Sequence, residues 1–431
     1  MPSVKNKSKP VIGIIGLGYV GLPLLINFSK NNTNVIGFDV DLSKVKSLNS
    51  GKTYIEHIPS KNIKDAINNG AIATTDFSKI NEVDMAIICV PTPISKHNEP
   101  DLSYVQNVLD LAGPYFVKNQ ILSLESTTYP GTTDEVMIPF VENLGFEVGK
   151  NFHVVYSPER ENPGGNIEQS DIPKLVGGHT NKCTKKASIL YSRTFKQVVE
   201  VSSPKIAELA KLLENIHRAV NLGMINEFKI ICDKMGVDTY EVVQAASSKP
   251  FGFVPYYPGP GWGGHCIPVD PFYFSWKAKE FGLNARFIEL SGELNNQIIE
   301  WVVRKAASIL NKNKKSISHS KILLLGLSYK ENVDDARESP SIKIYKILSS
   351  EGAKVDYSDP HIKTFPDTRI LDKKSNKRSV KLTAKSLKGY DLVVLLTKHA
   401  LFDYDFIKEH ANYILDTRGA YNPDNKKIFR G

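Results

Sequence analysis

One cysteine of this chain stands where a nucleophile would be of use. Cys266 lies in the stretch Tyr256-Tyr257-Pro258-Gly259-Pro260-Gly261-Trp262-Gly263-Gly264-His265-Cys266-Ile267-Pro268-Val269-Asp270-Pro271. Glycine and proline at this density impose a defined loop. Asp270 follows the thiol by four residues. An ordinary thiol titrates near ~8.5, so it needs a neighbouring cation to act as a thiolate at neutral pH. Lys211 and Asn215 are four apart and share a face of any helix that contains them. Lys211 would steady a thiolate or an oxyanion, and Asn215 would donate a hydrogen bond to the same oxygen. Pairs of this kind otherwise belong to solvated helix surfaces. The remaining cysteines read as inert: Cys89 as strand packing, Cys232 as helix core, and Cys183, in a polar lysine-containing stretch, as an exposed residue.

A second group of residues points to a dinucleotide. Gly16-Leu17-Gly18-Tyr19-Val20-Gly21 closes a β-branched run and opens a helical pattern, and Asp39 ends the next apolar run. A lone GxGxxG is a weak signal, but this context is what the fingerprint requires. Gly16 permits the tight turn, Gly18 lets a pyrophosphate approach the backbone, and Gly21 allows close helix–strand packing. The helix start supplies unpaired N–H donors and partial positive charge. Asp39 would accept hydrogen bonds from the ribose hydroxyls and repel a 2′-phosphate, which favours NAD over NADP. Two polar loops follow later strands: Ser126-Thr127-Thr128 with Pro130-Gly131, and Ser157-Pro158-Glu159-Arg160. Open α/β sheets bind ligands beyond the carboxyl ends of their strands. Glu159 would hold or deprotonate a water; its structural alternative is an ion pair with Arg160.

These residues need a scaffold of three parts. Residues 1–203 begin with a strand at 11–15, a glycine loop, a helix to about 30 and a strand at 34–38. Apolar runs at 84–90, 120–124 and 152–156 have strand length and alternate with helical patterns, as in a doubly wound parallel sheet. Residues 204–310 open with Ser203 as N-cap and Pro204 in the first turn, and helical periodicity runs unbroken to Gly236. That is a rod of roughly 45–50 Å. Residues 311–431 start again after a Lys/Asn/Ser-rich linker, with strands at 321–325, 354–357, 391–397 and 413–416. The expected fold is α/β: two Rossmann-like doubly wound domains joined by a helical domain with a long central helix. The second glycine turn, Gly326-Leu327-Ser328, keeps only part of the fingerprint, so a second dinucleotide is not expected there.

Composition excludes several other classes. The 431 residues are 41% hydrophobic and 23% charged, which rules out disordered, collagen-like and disulfide-scaffold chains. The net charge of +9 suits a small anionic ligand, and no basic run with interleaved aromatics argues for nucleic acid. The four cysteines have no CxxC or zinc spacing, so no metal site is expected and a cytoplasmic setting is the simplest. Lys5, Lys7 and Lys9 before the uncharged 11–28 stretch imitate a signal peptide. The glycines and Pro23 within that stretch, and the lack of a cleavage site, favour strand–loop–helix and no membrane insertion.

Together these stretches resemble the UDP-glucose/GDP-mannose dehydrogenase family. The match runs in order through residues 16–21, Cys89-Val90-Pro91-Thr92-Pro93, 125–130, 157–160, 208–215, 261–270 and 326–341. The loop around Cys266 is its most specific part. Lys249-Pro250-Phe251-Gly252-Phe253 and the 257–271 stretch resemble the branch that acts on UDP-N-acetylhexosamines. The resemblance implies a four-electron oxidation of the sugar C6 hydroxyl to a carboxylate with two NAD, in the synthesis of surface polysaccharide precursors. UDP-N-acetylglucosamine is the first expectation; UDP-N-acetylmannosamine, UDP-N-acetylgalactosamine and UDP-glucose are the alternatives. Cys266 would trap the aldehyde as a thiohemiacetal and carry a thioester, since an aldehyde has no hydride-donating carbinol until a nucleophile adds. Lys211 and Asn215 match oxyanion stabilisers, and Asp270, Thr127 and Glu159 match residues that position or activate water, with the base left open among them.

On the cofactor side the resemblance implies Tyr19, Val20, Lys44, Pro91, Thr92, Thr127 and Arg337 besides the glycines and Asp39. On the substrate side it implies Glu159, Arg160, Lys211, Asn215, Lys249, Phe253, Tyr257, Gly263, Lys330 and Arg418. Two departures argue against UDP-glucose: Ser248-Lys249-Pro250 offers no arginine, and Pro163 replaces a second glutamate. The long helix matches a dimer core, so at least a homodimer is expected. Two other readings compete. One is a two-electron hydroxyacid or polyol dehydrogenase with Lys211 as base; the other is a non-catalytic nucleotide-binding regulator.

Overall fold

The computed structural model describes residues 9–31, 33–55, 58–95, 99–161, 167–264, 266–368, 370–371, 375–424 and 426–431. Lys5, Lys7, Pro163 and His265, named above, lie outside them. The chain divides into two compact units: Met1–Glu214 with Trp276–Leu283, and Asn215–Ser275 with Asn284–Gly431.

The first unit holds an eight-stranded sheet. Its strands are Val11–Ile15 (β1), Asn34–Phe38 (β2), Ile72–Thr74 (β3), Met85–Ile88 (β4), Ile121–Leu124 (β5), His153–Tyr156 (β6), Lys174–Gly178 (β7) and Val198–Val201 (β8). Their order is β3-β2-β1-β4-β5-β6-β7-β8. β1 pairs in parallel with β2 on one side and with β4 on the other, so the chain reverses its direction of winding at β1. That switch point is where an open α/β sheet leaves a crevice. The strands are continuous apolar runs because both faces are covered; Ile12, Ile14, Ile87, Leu122 and Val154 are wholly buried. One junction departs from the parallel expectation: β6 and β7 are antiparallel. Cys183 corrects another expectation, because it is buried rather than exposed. It lies on the Asn181–Tyr191 helix, where Cys183, Ala187 and Tyr191 repeat at i, i+4 and i+8 on the inner face while Lys182 and Lys185 point outward. The polar average of the segment hid this pattern.

The long helix is Pro204–Met235, 32 residues and roughly 48 Å. Ser203 accepts the Ile206 N–H at its Oγ, and Gly236, at φ +72°, ends the helix. The boundary between the two units falls within this helix, after Glu214.

The second unit contains a five-stranded, all-parallel sheet of Lys321–Leu325 (β9), Lys354–Ser358 (β10), Leu392–Leu395 (β11), Ile414–Asp416 (β12) and Ile428–Arg430 (β13), in the order β10-β9-β11-β12-β13. Its two faces alternate along each strand. Ile322, Leu324, Leu392 and Val394 face one core, which the Arg286–Lys312 helix covers with Ile298, Val302 and Ile309. Leu323, Leu325, Val393 and Leu395 face the other.

Candidate functional site

The glycine turn after β1 is built from three different steric demands. Gly16 has φ +94° and donates its N–H to Phe38 O at 2.8 Å; a Cβ there would stand 2.9 Å from Cys89 O. A Cβ on Gly21 would stand 1.9 Å from Gly16 O, so only glycine lets the helix Gly21–Ser29 start so close to β1. A Cβ on Gly18 would meet nothing within 4 Å. Gly18 therefore faces open space, and it does so at a helix start that no side chain caps. Asp39, buried at the end of β2, accepts from Leu17 N and Asp41 N at 2.9 Å each and pairs with Lys44 at 3.2 Å. An open approach to uncapped N–H groups and a carboxylate at the next strand end fit the pyrophosphate and ribose of a dinucleotide. Tyr19 and Val20, half-buried, lie between Gly18 and Gly21.

The loops after β4 and β5 are laced together. Thr92 Oγ1 donates to Thr127 O at 2.5 Å, and Ser126 Oγ donates to Val90 O at 2.6 Å. Pro91 is exposed between them. The Pro130-Gly131 turn that follows Thr127 is held by Glu208 of the long helix. Its carboxylate accepts from Gly131 N at 2.6 Å, Thr133 N at 3.0 Å and Thr133 Oγ1 at 2.7 Å.

Glu159 follows β6. Its Oε1 accepts the Arg160 and Glu161 amides at 2.7 Å each, and its Oε2 accepts from Gln169 at 2.9 Å and lies 3.5 Å from Lys174 Nζ. Burial alone would raise the Glu159 pKa, but the Lys174 charge, the Glu161 amide and the Lys211 charge pull it below the ordinary range. It is a fixed carboxylate. Arg160 does not pair with it; the guanidinium reaches Glu214 at 2.6 Å and Pro173 O at 3.0 Å. Glu161 behaves oppositely, its pKa pushed up to about 7 by burial and by the charge of Glu159. Lys211 is also buried, on the long helix.

Sequence reasoning missed the support beneath Glu159. Lys174 is buried, 2.7 Å from Glu125 Oε2, and Glu125 Oε1 accepts from Tyr191 at 2.7 Å. A lysine opening the apolar run of β7 and a glutamate closing that of β5 were the available signals.

The second unit assembles the cysteine loop. Cys266 is half-buried, whereas Cys89, Cys183 and Cys232 are buried. Its carbonyl accepts from Val269 N at 3.0 Å and Asp270 N at 2.7 Å, which seats it at the start of the Asp270–Glu280 helix. Asp270 Oδ2 accepts from Asn215 Nδ2 at 2.5 Å, both side chains being buried, and Arg218 donates to Asn215 Oδ1. Upstream, Gly264 N donates to Arg337 O at 2.9 Å, and Cβ atoms on Gly263 and Gly264 would stand 2.8 and 2.9 Å from Tyr329. Gly259 is held at both ends by the long helix, donating to Asn226 Oδ1 at 3.0 Å and accepting from Lys229 Nζ at 2.9 Å.

The remaining candidates divide in two groups. Arg418 packs against Gly259 and donates from Nε to Leu396 O at 2.6 Å; burial lowers its pKa. Lys330 is half-buried, with its pKa lowered by burial and by Arg218. Tyr257 stacks on Tyr240, whose hydroxyl reaches Pro258 O and Thr417 O at 2.7 and 2.9 Å. Arg418 thus borders the loop that carries Cys266, and Tyr257 is part of it. By contrast, Arg337 pairs with its neighbour Asp335 at 2.6 Å, and Lys249 and Phe253 lie on the surface, Lys249 over the Phe251 ring. No cluster of metal-ligating residues occurs among the described residues, and no helix there is long and apolar enough to cross a membrane.

Comparison with known proteins agrees with this arrangement. Three profiles of the UDP-glucose/GDP-mannose dehydrogenase family match in succession: the NAD binding domain over residues 11–195, the central domain over 205–297 and the UDP binding domain over 323–423. Protein CapL of Staphylococcus aureus is 33% identical over 97% of both chains. The UDP-N-acetyl-D-glucosamine 6-dehydrogenase of Pseudomonas aeruginosa is 34% identical over 81% of this chain and 83% of its own. Among solved structures, a UDP-D-ManNAc dehydrogenase from Pyrococcus horikoshii superposes with a TM-score of 0.86 at 28% identity, covering 97% of this chain and 98% of that one. With its glycine turn, its cysteine loop and its second sheet falling in the successive domains of one family, this chain belongs to the UDP-glucose/GDP-mannose dehydrogenases and is an NAD-dependent nucleotide-sugar dehydrogenase.

Proposed function

We propose that this enzyme oxidises the C6 hydroxyl of a UDP-N-acetylhexosamine, UDP-N-acetylglucosamine first among them, to the uronate through a covalent intermediate on Cys266. The observation that carries this reading is the seating of Cys266: a half-buried thiol whose carbonyl starts the helix of Asp270, with the Asp270 carboxylate bonded to buried Asn215. A relative named for UDP-N-acetylglucosamine and the Lys249-Pro250-Phe251 stretch support the substrate class. Relatives named for UDP-N-acetylmannosamine support that epimer as the second reading.

Residues 16–21, Asp39 and Lys44 would hold NAD, with Pro91, Thr92 and Thr127 bordering it; NAD accepts one hydride for each two-electron oxidation. In the first stage Lys211 and Asn215 bind the C6 oxygen and stabilise negative charge on it. The Cys266 sulfur then adds to the aldehyde carbon, and the resulting thiohemiacetal oxygen occupies the same donors. After the second oxidation Cys266 holds the acyl carbon as a thioester. Water, positioned by Asp270 with Thr127 and Glu159, cleaves it and releases the uronate and the thiol. Glu159, kept ionised by its amides and by Lys174, is suited to orienting that water. Lys330, Arg418, Tyr257 and Gly263 serve the nucleotide sugar, with Arg160, Lys249 and Phe253 at its margins and Arg337 toward the cofactor. The 1–203, 204–310 and 311–431 parts accordingly serve cofactor, catalysis with dimerisation, and nucleotide. A cytoplasmic setting, where thiols stay reduced, suits a working cysteine, and surface polysaccharide precursors are the expected products.

The test is a panel of UDP-N-acetylglucosamine, UDP-N-acetylmannosamine, UDP-N-acetylgalactosamine and UDP-glucose with NAD, followed at the nicotinamide absorbance and by product charge. Two NADH per sugar and a uronate are expected from an N-acetylhexosamine. Cys266→Ser should make no uronate, with its yield falling to one NADH per sugar or fewer. Uronate from this variant at the parental rate overturns covalent catalysis, and one NADH per sugar in the parent overturns the four-electron reading.

A further inference from the structure

The second sheet repeats the turn of the first. Gly326 has φ +88° and donates to Ser358 O at 2.9 Å, and Leu327 N donates to Asp359 Oδ2 at 2.7 Å. Gly16, Leu17 and Asp39 make the same contacts. The two acids then diverge. Asp39 faces a half-buried lysine, whereas Asp359 faces His399, and the side chains of both Asp359 and His399 are sealed from solvent.

His399 has a defined tautomer. Asn332 N–H can only donate, and it lies 3.0 Å from Nδ1, so Nδ1 accepts and Nε2 carries the proton. Nε2 lies 3.2 Å from Asp359 Oδ2 and 3.1 Å from Ser328 Oγ. Ser328 Oγ in turn donates to Lys330 O at 2.8 Å. Two further polar groups of the loop are also used. Ser328 O accepts from Thr397 Oγ1 at 2.6 Å, and Asn332 Oδ1 accepts from Ala400 N at 2.9 Å. Asn332 itself is held at φ +58°, in the left-handed region. Burial would raise the Asp359 pKa, but the hydrogen bond with His399 and the Leu327 and His361 amides keep it below the ordinary range. Lys330 thus sits on a backbone fixed on both sides by one buried imidazole–carboxylate pair.

We infer that His399, anchored by Asp359, is a positioning residue for nucleotide-sugar binding, acting by fixing the 328–332 loop that presents Lys330. The inference rests on the reading of Lys330 as a nucleotide-sugar contact. It also accounts for a glycine turn without a dinucleotide, because His399 takes the carboxylate oxygen that such a ligand would approach.

The experiment measures UDP binding by calorimetry and steady-state kinetics on the full chain, for His399→Ala, Lys330→Ala and the double variant. His399→Ala should weaken UDP about tenfold and raise the KM for the UDP-sugar similarly. The kcat should stay within about threefold and the KM for NAD should be unchanged. In the Lys330→Ala background the same substitution should cost less than about twofold, because its effect passes through Lys330. His399→Gln, which supplies a donor or an acceptor but cannot span both partners as the ring does, should fall between parent and alanine variant, and it serves if the alanine variant fails to fold. Unchanged UDP affinity, multiplying effects in the double variant, or a joint loss of kcat, both KM values and thermal stability would each overturn the inference. UDP binding reads this proposal whichever sugar is oxidised, so failure of the C6 oxidation reading shows separately, in the parental enzyme.

Discussion

Gly18 and Gly21 stand three residues apart, yet a methyl group has opposite consequences at them. At Gly18 it enters open space, so Gly18→Ala should leave the melting temperature unchanged while raising the KM for NAD roughly tenfold, because the methyl takes the room of the pyrophosphate. At Gly21 it meets a carbonyl oxygen, so Gly21→Ala should destabilise the fold by ~3 kcal/mol or more. Thermal melts and NAD titrations of the two variants separate these outcomes; equal melting behaviour would contradict the turn geometry. Lys229 provides a pH test. Burial, with Arg418 adding to it, lowers its pKa to about 7. An unfolded lysine titrates near ~10.4. Between these values the unfolded chain binds a proton that the folded chain has lost, so folding stability rises with pH from about 7 toward about 10, and the cost is complete below 7. The stability of the parent relative to Lys229→Met, from urea titrations between pH 6.5 and 9.5, should therefore climb with pH; a flat difference would exclude this neutral burial. At this scale the sequence was readable wherever chemistry and punctuation coincide, as at Cys266 in its glycine loop or Asp39 at a strand end. The Lys174–Glu125 pair was not readable, because its members stand 49 residues apart and meet only when β5 and β7 take their places.

The long helix carries two candidate catalytic residues, Lys211 and Asn215, and side chains that brace neighbouring loops. Glu208, Lys211, Asn215, Asn226 and Lys229 all project from it, so its registration fixes their spacing along one rod. It passes close to the Arg286–Lys312 helix at Gly223, where a Cβ would stand 3.0 Å from Ser291 Cβ and 3.2 Å from Ser291 Cα. Gly223→Val should push the two helices apart and cost about 1–3 kcal/mol, measurable by thermal or chemical unfolding; a neutral result would mean that the crossing is looser than described. The ends of this helix were legible, since Ser203, Pro204 and Gly236 are punctuation that acts locally. The strands β3, β7, β8 and β13 escaped because each is short and interrupted by polar, charged or glycine residues rather than forming an unbroken apolar run. The reversal at β7 escaped for a different reason. Strand direction depends on the path between strands, and among the described residues the β6–β7 connection contains no helix longer than a single turn.

At the scale of the whole molecule, two sheets carry the same glycine–acid latch and have put it to different uses, one left open at Gly18 and one closed by His399. The domain order was legible because each sheet begins with its own apolar run and glycine turn. The closure of the second turn was not, since His399 lies 40 residues beyond Asp359. The expected homodimer is argued at this scale too. Met224, Phe228, Ile231 and Met235 form an exposed apolar stripe on the long helix at i, i+4, i+7 and i+11, the pattern of a helix that packs against another. Phe228→Glu combined with Ile231→Glu should halve the mass measured by light scattering without changing the far-ultraviolet dichroism; an unchanged mass would place the interface elsewhere. The distribution of sulfur has a practical consequence. With Cys89, Cys183 and Cys232 shut inside and Cys266 in partial contact with solvent, a coloured thiol reagent becomes a counter of folded chains. One equivalent should be consumed per intact chain in any preparation, and each further equivalent marks molecules whose interior has opened.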